Sequence, residues 1–268
     1  MNHFLKLTYQ IFAMKLREIF EYRFLFWMQF IGSTLGPLCI AYFLWMAIFE
    51  TSQKAQIGGY TFNMMIFYYI MAPSIQKCVR GMNMRMISID IYEGHLTKYL
   101  LYPTSIFHFK LTQQLAHYFV DLILLVITVL IYIYFFGGIE VSAIQILMGL
   151  ILSLFSCVLY FLIEIRLELY AFWTDTTWSL SVLLRFLIGF LGGTIAPLSI
   201  YPEWAYNIIQ YTPFPHLVYF PTRLMMGMAD FRVFLFSLTS ILLWSLIAFL
   251  SVKLTWKKGL YEYTGVGI

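Results

Sequence analysis

Long uncharged apolar runs alternate with short charged segments along this chain. The run lengths predict helices that cross a bilayer, since a helix needs about 20 apolar residues to span the hydrocarbon core. Runs of that length lie at 24–49, 55–76, 111–136, 141–163, 176–200 and 233–252. Asp121 interrupts the third and Arg185 the fifth. The pattern predicts an all-α integral membrane protein with six transmembrane helices, an N-terminal interfacial amphipathic helix and a re-entrant segment before the last helix.

The segments outside the runs have characters of their own. Over residues 1–23, a helix would place Phe4, Leu5, Thr8, Ile11, Phe12, Leu16, Ile19 and Phe20 on one face and Lys6, Gln10, Arg17 and Glu21 on the other. Such a helix suits the cytoplasmic interface of a membrane; the alternative is a basic tail. The four residues 137–140 between the third and fourth runs predict an antiparallel hairpin. Residues 201–232 are too apolar for a free loop. Pro202, Pro213, Pro215 and Pro221 break them into pieces too short to span, and Trp204, Tyr206, Tyr211 and Tyr219 favour the interface. We expect short helices dipping into or capping the outer leaflet and packed on the spans, because backbone at depth must be satisfied by protein or a wet cavity.

Composition agrees with the pattern. The chain of 268 residues is 61% hydrophobic and 11% charged, against about 25% charged in soluble domains. It reads as a single transmembrane domain over residues 1–268, with no block polar enough for a soluble one. Six spans put both termini on one side. With the N-terminus in the cytoplasm, thirteen Lys and Arg fall inside and three, Lys54, Arg223 and Arg232, outside. The positive-inside rule then predicts a multi-pass protein of the cell membrane with cytoplasmic termini. No basic cluster lies away from the spans, which argues against nucleic acid as a partner.

Few residues offer chemistry. Asp121 and Arg185 are opposite charges, each about 15 Å deep along its run. Charges there are costly, so we expect them to pair, either as a polar point on a translocation path or as a strut between helices. Glu164, Arg166 and Glu168 cluster with Asp175 where the fourth run reaches the cytoplasm, as a solvated helix end or a secondary docking edge for a partner. Gly32 and Gly36, and Gly189 and Gly193, have the spacing of close-packed helices, and Pro37 and Pro197 are expected to kink their spans. Cys39, Cys78 and Cys157 show no metal spacing and read as packing residues. There is no HExxH, GxSxG or GxxxxGK[ST] sequence. The chain therefore has no Walker A loop of its own and no constellation typical of an enzyme.

The longest break between runs, 77–110, carries Lys77, Arg80, Arg85, Lys98 and Lys110. The order of features, from the interfacial helix through this basic loop to a re-entrant segment before the last span, resembles the permease subunit of an ABC type-2 exporter. The local sequence resembles the ABC-2 family transporter protein branch, whose Gly-Glu-Leu-Asp-like element precedes Leu-rich sequence and Arg-Pro-Val-Ser. Here the matching stretch reads Tyr92-Glu-Gly-His-Leu96, then Tyr99-Leu-Leu-Tyr-Pro-Thr-Ser105. Ala171-Phe-Trp173 and Pro197-Leu-Ser-Ile-Tyr-Pro202, followed by Trp204, are similar too. Glu93 and Gly94 reverse the usual order, and Tyr102 stands in the place of the Arg before the proline.

The resemblance implies a mechanism. Two permease subunits, identical or homologous, would enclose a path, with two copies of a separate ABC ATPase subunit below them. ATP and Mg would sit on that ATPase, and this chain would bind no cofactor. Coupling to the ATPase would fall on Ser88, Ile89, Asp90, Ile91, Tyr92, Glu93, Gly94 and Leu96, with Arg80, Arg85 and Lys98 as charged surroundings. Gly94 would allow a sharp turn, and Pro103 would start the return toward the membrane. An ordinary basic loop is the bland reading of the same residues. A non-transporting membrane scaffold or channel subunit is the alternative function. The transported substrate is not legible.

Overall fold

The computed structural model describes residues 2–21, 23–81, 87–102, 104–136 and 142–263. Arg85, Pro103 and the connection 137–140 lie outside the described residues. The chain runs through α1 (Asn2–Glu21), α2 (Arg23–Ser52), α3 (Phe62–Arg80), α4 (Ser88–Tyr92), α5 (Leu96–Leu100), α6 (Ile106–Phe136) and α7 (Ala143–Glu168). It continues through α8 (Trp178–Leu191), α9 (Glu203–Ile209), α10 (Phe214–Leu217), α11 (Tyr219–Met225) and α12 (Phe231–Glu262). Short 3-10 turns, Leu169–Phe172 and Leu198–Ile200, follow α7 and α8. A bridge between Ile57 and Tyr60 is the only β pairing among the described residues.

Four segments are long and apolar enough to cross a membrane: Leu35–Ser52, Ile106–Tyr132, Ala143–Phe172 and Phe231–Glu262. α7 is the most buried of them, and it packs against α3, α6, α8, α10, α11 and α12. α2 and α12 expose most of their apolar side chains, including Leu243, Leu246 and Phe249. Exposed apolar area on this scale suits lipid rather than water.

Three helix starts are satisfied locally by side chains, which supply partners for orphan backbone groups. Thr61 caps α3, Ser142 and Gln145 form a capping box on α7, and the Asp230 carboxylate accepts from the N–H of Val233 at 3.2 Å on α12. The C-terminus of α3 is closed from another helix. The Gln114 amide of α6 donates to the carbonyls of Val79 at 3.2 Å and Arg80 at 3.0 Å.

α6 and α7 lie antiparallel. Gln114 meets Cys157, while Tyr118 hydrogen-bonds Ser153 at 2.7 Å, so later residues of one helix meet earlier residues of the other. α1 lies along α6, burying Ile11, Lys15 and Ile19. Lys15 was not part of the expected apolar face; it is paired with Glu18 at 2.5 Å. Phe4, Leu5 and Phe20 of that face stay exposed.

Two expectations are corrected at the fifth run. Its helix, α8, has 14 residues, about 21 Å of rise against a hydrocarbon core of about 30 Å. The chain turns at Gly192 and Gly193, the latter at φ 84°, and the hydroxyls of Tyr68 and Tyr69 hold the carbonyls of Gly193 and Ile195 at 2.6 Å. Gly189 and Gly193 therefore do not share a helix face, and Pro197 lies beyond the helix rather than kinking it. α2 runs through Pro37, and a methyl group placed at Gly32 or Gly36 would meet no described atom of another element within 4 Å, so neither glycine marks a close helix approach within this chain.

Within residues 201–232, α10 and α11 pack onto α7, while α9 buries no side chain fully. Gly149 permits this: a side chain there would collide with Met225 of α11 and approach the Pro221 carbonyl at 3.1 Å. Ser156 donates to the His216 carbonyl at 2.7 Å, and the Gln145 amide reaches the Ala229 carbonyl at 3.2 Å.

Candidate functional site at the α4 end of the bundle

A five-residue helix is far below the length that is stable alone in water, so α4 exists only because something holds it. The first hold is a small apolar core of its own. Ile87, Ile91 and Leu96 pack with Ile106 of α6, Phe161, Ile165 and Leu169 of the α7 region, and Val252 of α12. Gly94, at φ 71°, makes the left-handed turn that returns the chain to α5, a conformation only glycine adopts freely.

The second hold is Glu168, the last residue of α7. Its Oε2 accepts the backbone N–H groups of Ile87 at 2.6 Å and Ser88 at 3.2 Å. A carboxylate on the free N–H groups of a helix start is favoured by hydrogen bonding and by the helix dipole.

The third is Asp90. One carboxylate oxygen accepts from Lys98 Nζ of α5 at 3.1 Å and the other from Lys110 Nζ of α6 at 3.0 Å. Both ammonium groups also lie near the Tyr99 ring, at 4.9 and 5.3 Å from its centroid. Burial, with the Asp90 carboxylate beside it, pushes the Tyr99 phenol above its ordinary range, so it stays neutral. Asp90 thereby ties α4 to two other helices.

These holds sort the predicted site residues into two sets. Ser88, Asp90, Ile91 and Leu96 face inward, and Tyr92 is half-buried against the small core. Ile89 is 39% exposed, and Glu93, Leu101 and Tyr102 also point outward. Of the expected charged surroundings, Lys98 is tied to Asp90 and still keeps 44% of its side chain exposed.

The other expected constellations are corrected as well. Asp121 does not pair with Arg185: its carboxylate lies 3.5 Å from Lys77 Nζ, because α6 packs antiparallel on α3. Arg185 makes no ion pair among the described residues, and the acid that feels its charge is Glu164. Glu164 and Glu168 are 2% and 0% exposed, so neither is a solvated edge open to a partner. They lie on the inner face of α7, Glu164 beside Tyr160 and in the field of Arg80. Arg166 holds α12, donating from Nε to Ser251 Oγ at 2.5 Å and from Nη2 to the Tyr170 hydroxyl at 3.2 Å.

Sequence reasoning placed Lys77 and Lys110 only among the basic residues of 77–110 and missed their pairings with Asp121 and Asp90, as it missed Gln114 and the capping role of Glu168. Lys110 and Glu168 are 20 and 80 positions from their partners Asp90 and Ser88, and no local signal marks such pairs.

The elements describe an all-helical membrane protein whose inter-span segment is clamped to the bundle. A family model described as ABC-2 family transporter protein matches residues 35–267, and the chain belongs to that family. It is thus a membrane component of an ABC transporter and not itself the catalytic part. No curated protein and no solved structure matches the chain.

Proposed function

We propose that this chain is the membrane-spanning permease subunit of an ATP-driven exporter, and that α4 and α5 receive the stroke of a separate ATPase subunit. In this reading α2, α3, α6, α7 and α12 each cross the membrane, α8 together with the turns that follow it to Ile200 makes the sixth crossing, α1 lies in the cytoplasmic interface, and both termini are in the cytoplasm of a cell-membrane protein. Two such permeases, or this one and a homologue, enclose the path above two ATPase copies that carry ATP and Mg.

The observation that carries the reading is the clamp on α4. Glu168 and Asp90 bind α4 to α7, α5 and α6, while Ile89 and Glu93 remain on the outer side. A push on Ile89 is then a push on the ends of α6 and α7. α7 has 26 residues, a rod of about 39 Å, and its far end is packed against α11 without slack at Gly149. Displacement at one end therefore has a direct mechanical route to the other.

The reading is tested by isolating the tagged chain with its membrane partners and measuring ATP hydrolysis. We expect an ATPase subunit to copurify. Ile89→Asp or Glu93→Arg should weaken that association or uncouple hydrolysis from transport while the permease stays folded. Recovery of the folded chain with no ATPase subunit, together with silent substitutions at both positions, would refute it.

A further inference from the structure

At the end of the bundle opposite α4, two cavities flank α9. The first, of about 380 Å³, is walled by Ser199, Tyr201, Glu203, Tyr206, Tyr219 and Arg223. The second, of about 310 Å³, is walled by Phe190, Tyr201, Pro202, Trp204 and Ile208. Tyr201 lines both, so they adjoin. Helical spacing explains the division. Glu203, Tyr206 and Asn207 lie on one face of α9, while Trp204 and Ile208 lie on another.

The charges in the first cavity are unmatched. Arg223 spends one N–H on the Met228 carbonyl, at 2.8 Å, and stands 5.6 Å from the Tyr219 ring centroid. No carboxylate pairs with it among the described residues. Glu203 lines the same cavity and pairs with no base among them. A guanidinium has five donors in a fork suited to phosphate or carboxylate, so Arg223 has donors to spare. The Tyr219 hydroxyl is sealed from solvent with no hydrogen bond of good geometry. Its polar neighbours are Arg223 and Ser199. The Tyr60 hydroxyl, also sealed and unpaired, lies in the field of Tyr219, Arg223 and Tyr206.

We propose that the two cavities form one binding site for an amphiphile whose headgroup carries a phosphate and a primary ammonium. The phosphate sits on Arg223, with the tyrosine hydroxyls behind it, and the ammonium faces Glu203. The alkyl chain runs over Tyr201 into the groove of Phe190, Trp204 and Ile208. Charge complementarity selects a zwitterion over a simple anion, because only the zwitterion brings an ammonium to pair with Glu203 while its phosphate sits on Arg223. The adjoining apolar cavity selects an amphiphile over a small solute.

The test is read on this chain alone, without ATPase or transport, so it stands or falls apart from the permease reading. The purified full chain in detergent is incubated with phosphatidylethanolamine or phosphatidylglycerol, and retained lipid is counted by native mass spectrometry. We expect the ethanolamine lipid to be retained roughly tenfold better than the glycerol lipid, the scale of one charge-assisted hydrogen bond. Glu203→Gln should abolish that preference. Arg223→Gln should lower retention of both lipids. Glu203 is on the surface and its replacement leaves the packing intact, so it carries the test even where Arg223→Gln impairs folding. Equal retention of the two lipids by the unmodified chain, or an unchanged preference in Glu203→Gln, would overturn the proposal. Displacement of the lipid by an equal concentration of water-soluble phosphoethanolamine would overturn its amphiphile part and assign the site to a free zwitterion.

Discussion

Glu168 and Ile87 are 81 positions apart in the chain, yet the carboxylate of one accepts the backbone N–H of the other at 2.6 Å. This bond places the end of a long core helix on the start of a five-residue helix. It makes the orientation of α4 a property of α7.

Replacing Glu168 with Leu should free α4 without unfolding the bundle. Two buried N–H groups would lose their acceptor, at about 1–3 kcal/mol each. Hydrogen–deuterium exchange over residues 87–92 should accelerate by tenfold or more, while exchange in the middle of α7 stays slow. Unchanged protection at 87–92 would show that the apolar contacts of Ile87 and Ile91 suffice.

The Asp90 fork should show strong coupling between its members. Lys110→Met leaves a buried carboxylate with one base, and breaking a buried pair costs about 3–5 kcal/mol. Asp90→Asn combined with Lys110→Met should recover much of that loss. A thermal-melt cycle of the four proteins measures the coupling, and simple additivity would argue against the fork.

Asp121 and Lys77 form the charge pair within the bundle, so Lys77→Met should reduce yield of folded protein more than the double variant Lys77→Met/Asp121→Asn. Arg185→Met should leave the behaviour of the Asp121 variants unchanged. Detergent-extracted yield, compared across the set, distinguishes this partner from Arg185.

Gly149 sets the closeness of α7 and α11. Gly149→Ala drives a methyl group into Met225 and should cost about 1–3 kcal/mol as overpacking. Met225→Ala in the same chain should return most of it. A melting temperature that is lowered equally with and without Met225→Ala would mean that the Pro221 backbone, not Met225, is the obstacle.

Legibility differed by element. The apolar runs at 111–136, 141–163 and 233–252 correspond to α6, α7 and α12, because a continuous apolar surface is a property of neighbouring residues. The run at 176–200 looked the same by composition, yet ends as a helix at Leu191. The cause is the left-handed turn at Gly193, held by Tyr68 from another helix. At the candidate site the inter-span stretch was recognisable from Tyr92 to Leu96. Which of its residues face inward depends on Glu168 and Lys110, which the stretch itself does not contain.

The sequence alone determined that this is a helical membrane protein with no Walker A loop of its own, since hydropathy and motif content are additive along the chain. The order of its elements sufficed for the family resemblance. Only the tertiary structure decided that Asp121 meets Lys77, that Glu164 and Glu168 are buried, and that α4 is clamped to α6 and α7. Those facts arise from pairings between distant segments. A buried charge takes whichever partner the packing of helices brings within reach, and that choice is not written in the spacing of residues along one strand of chain.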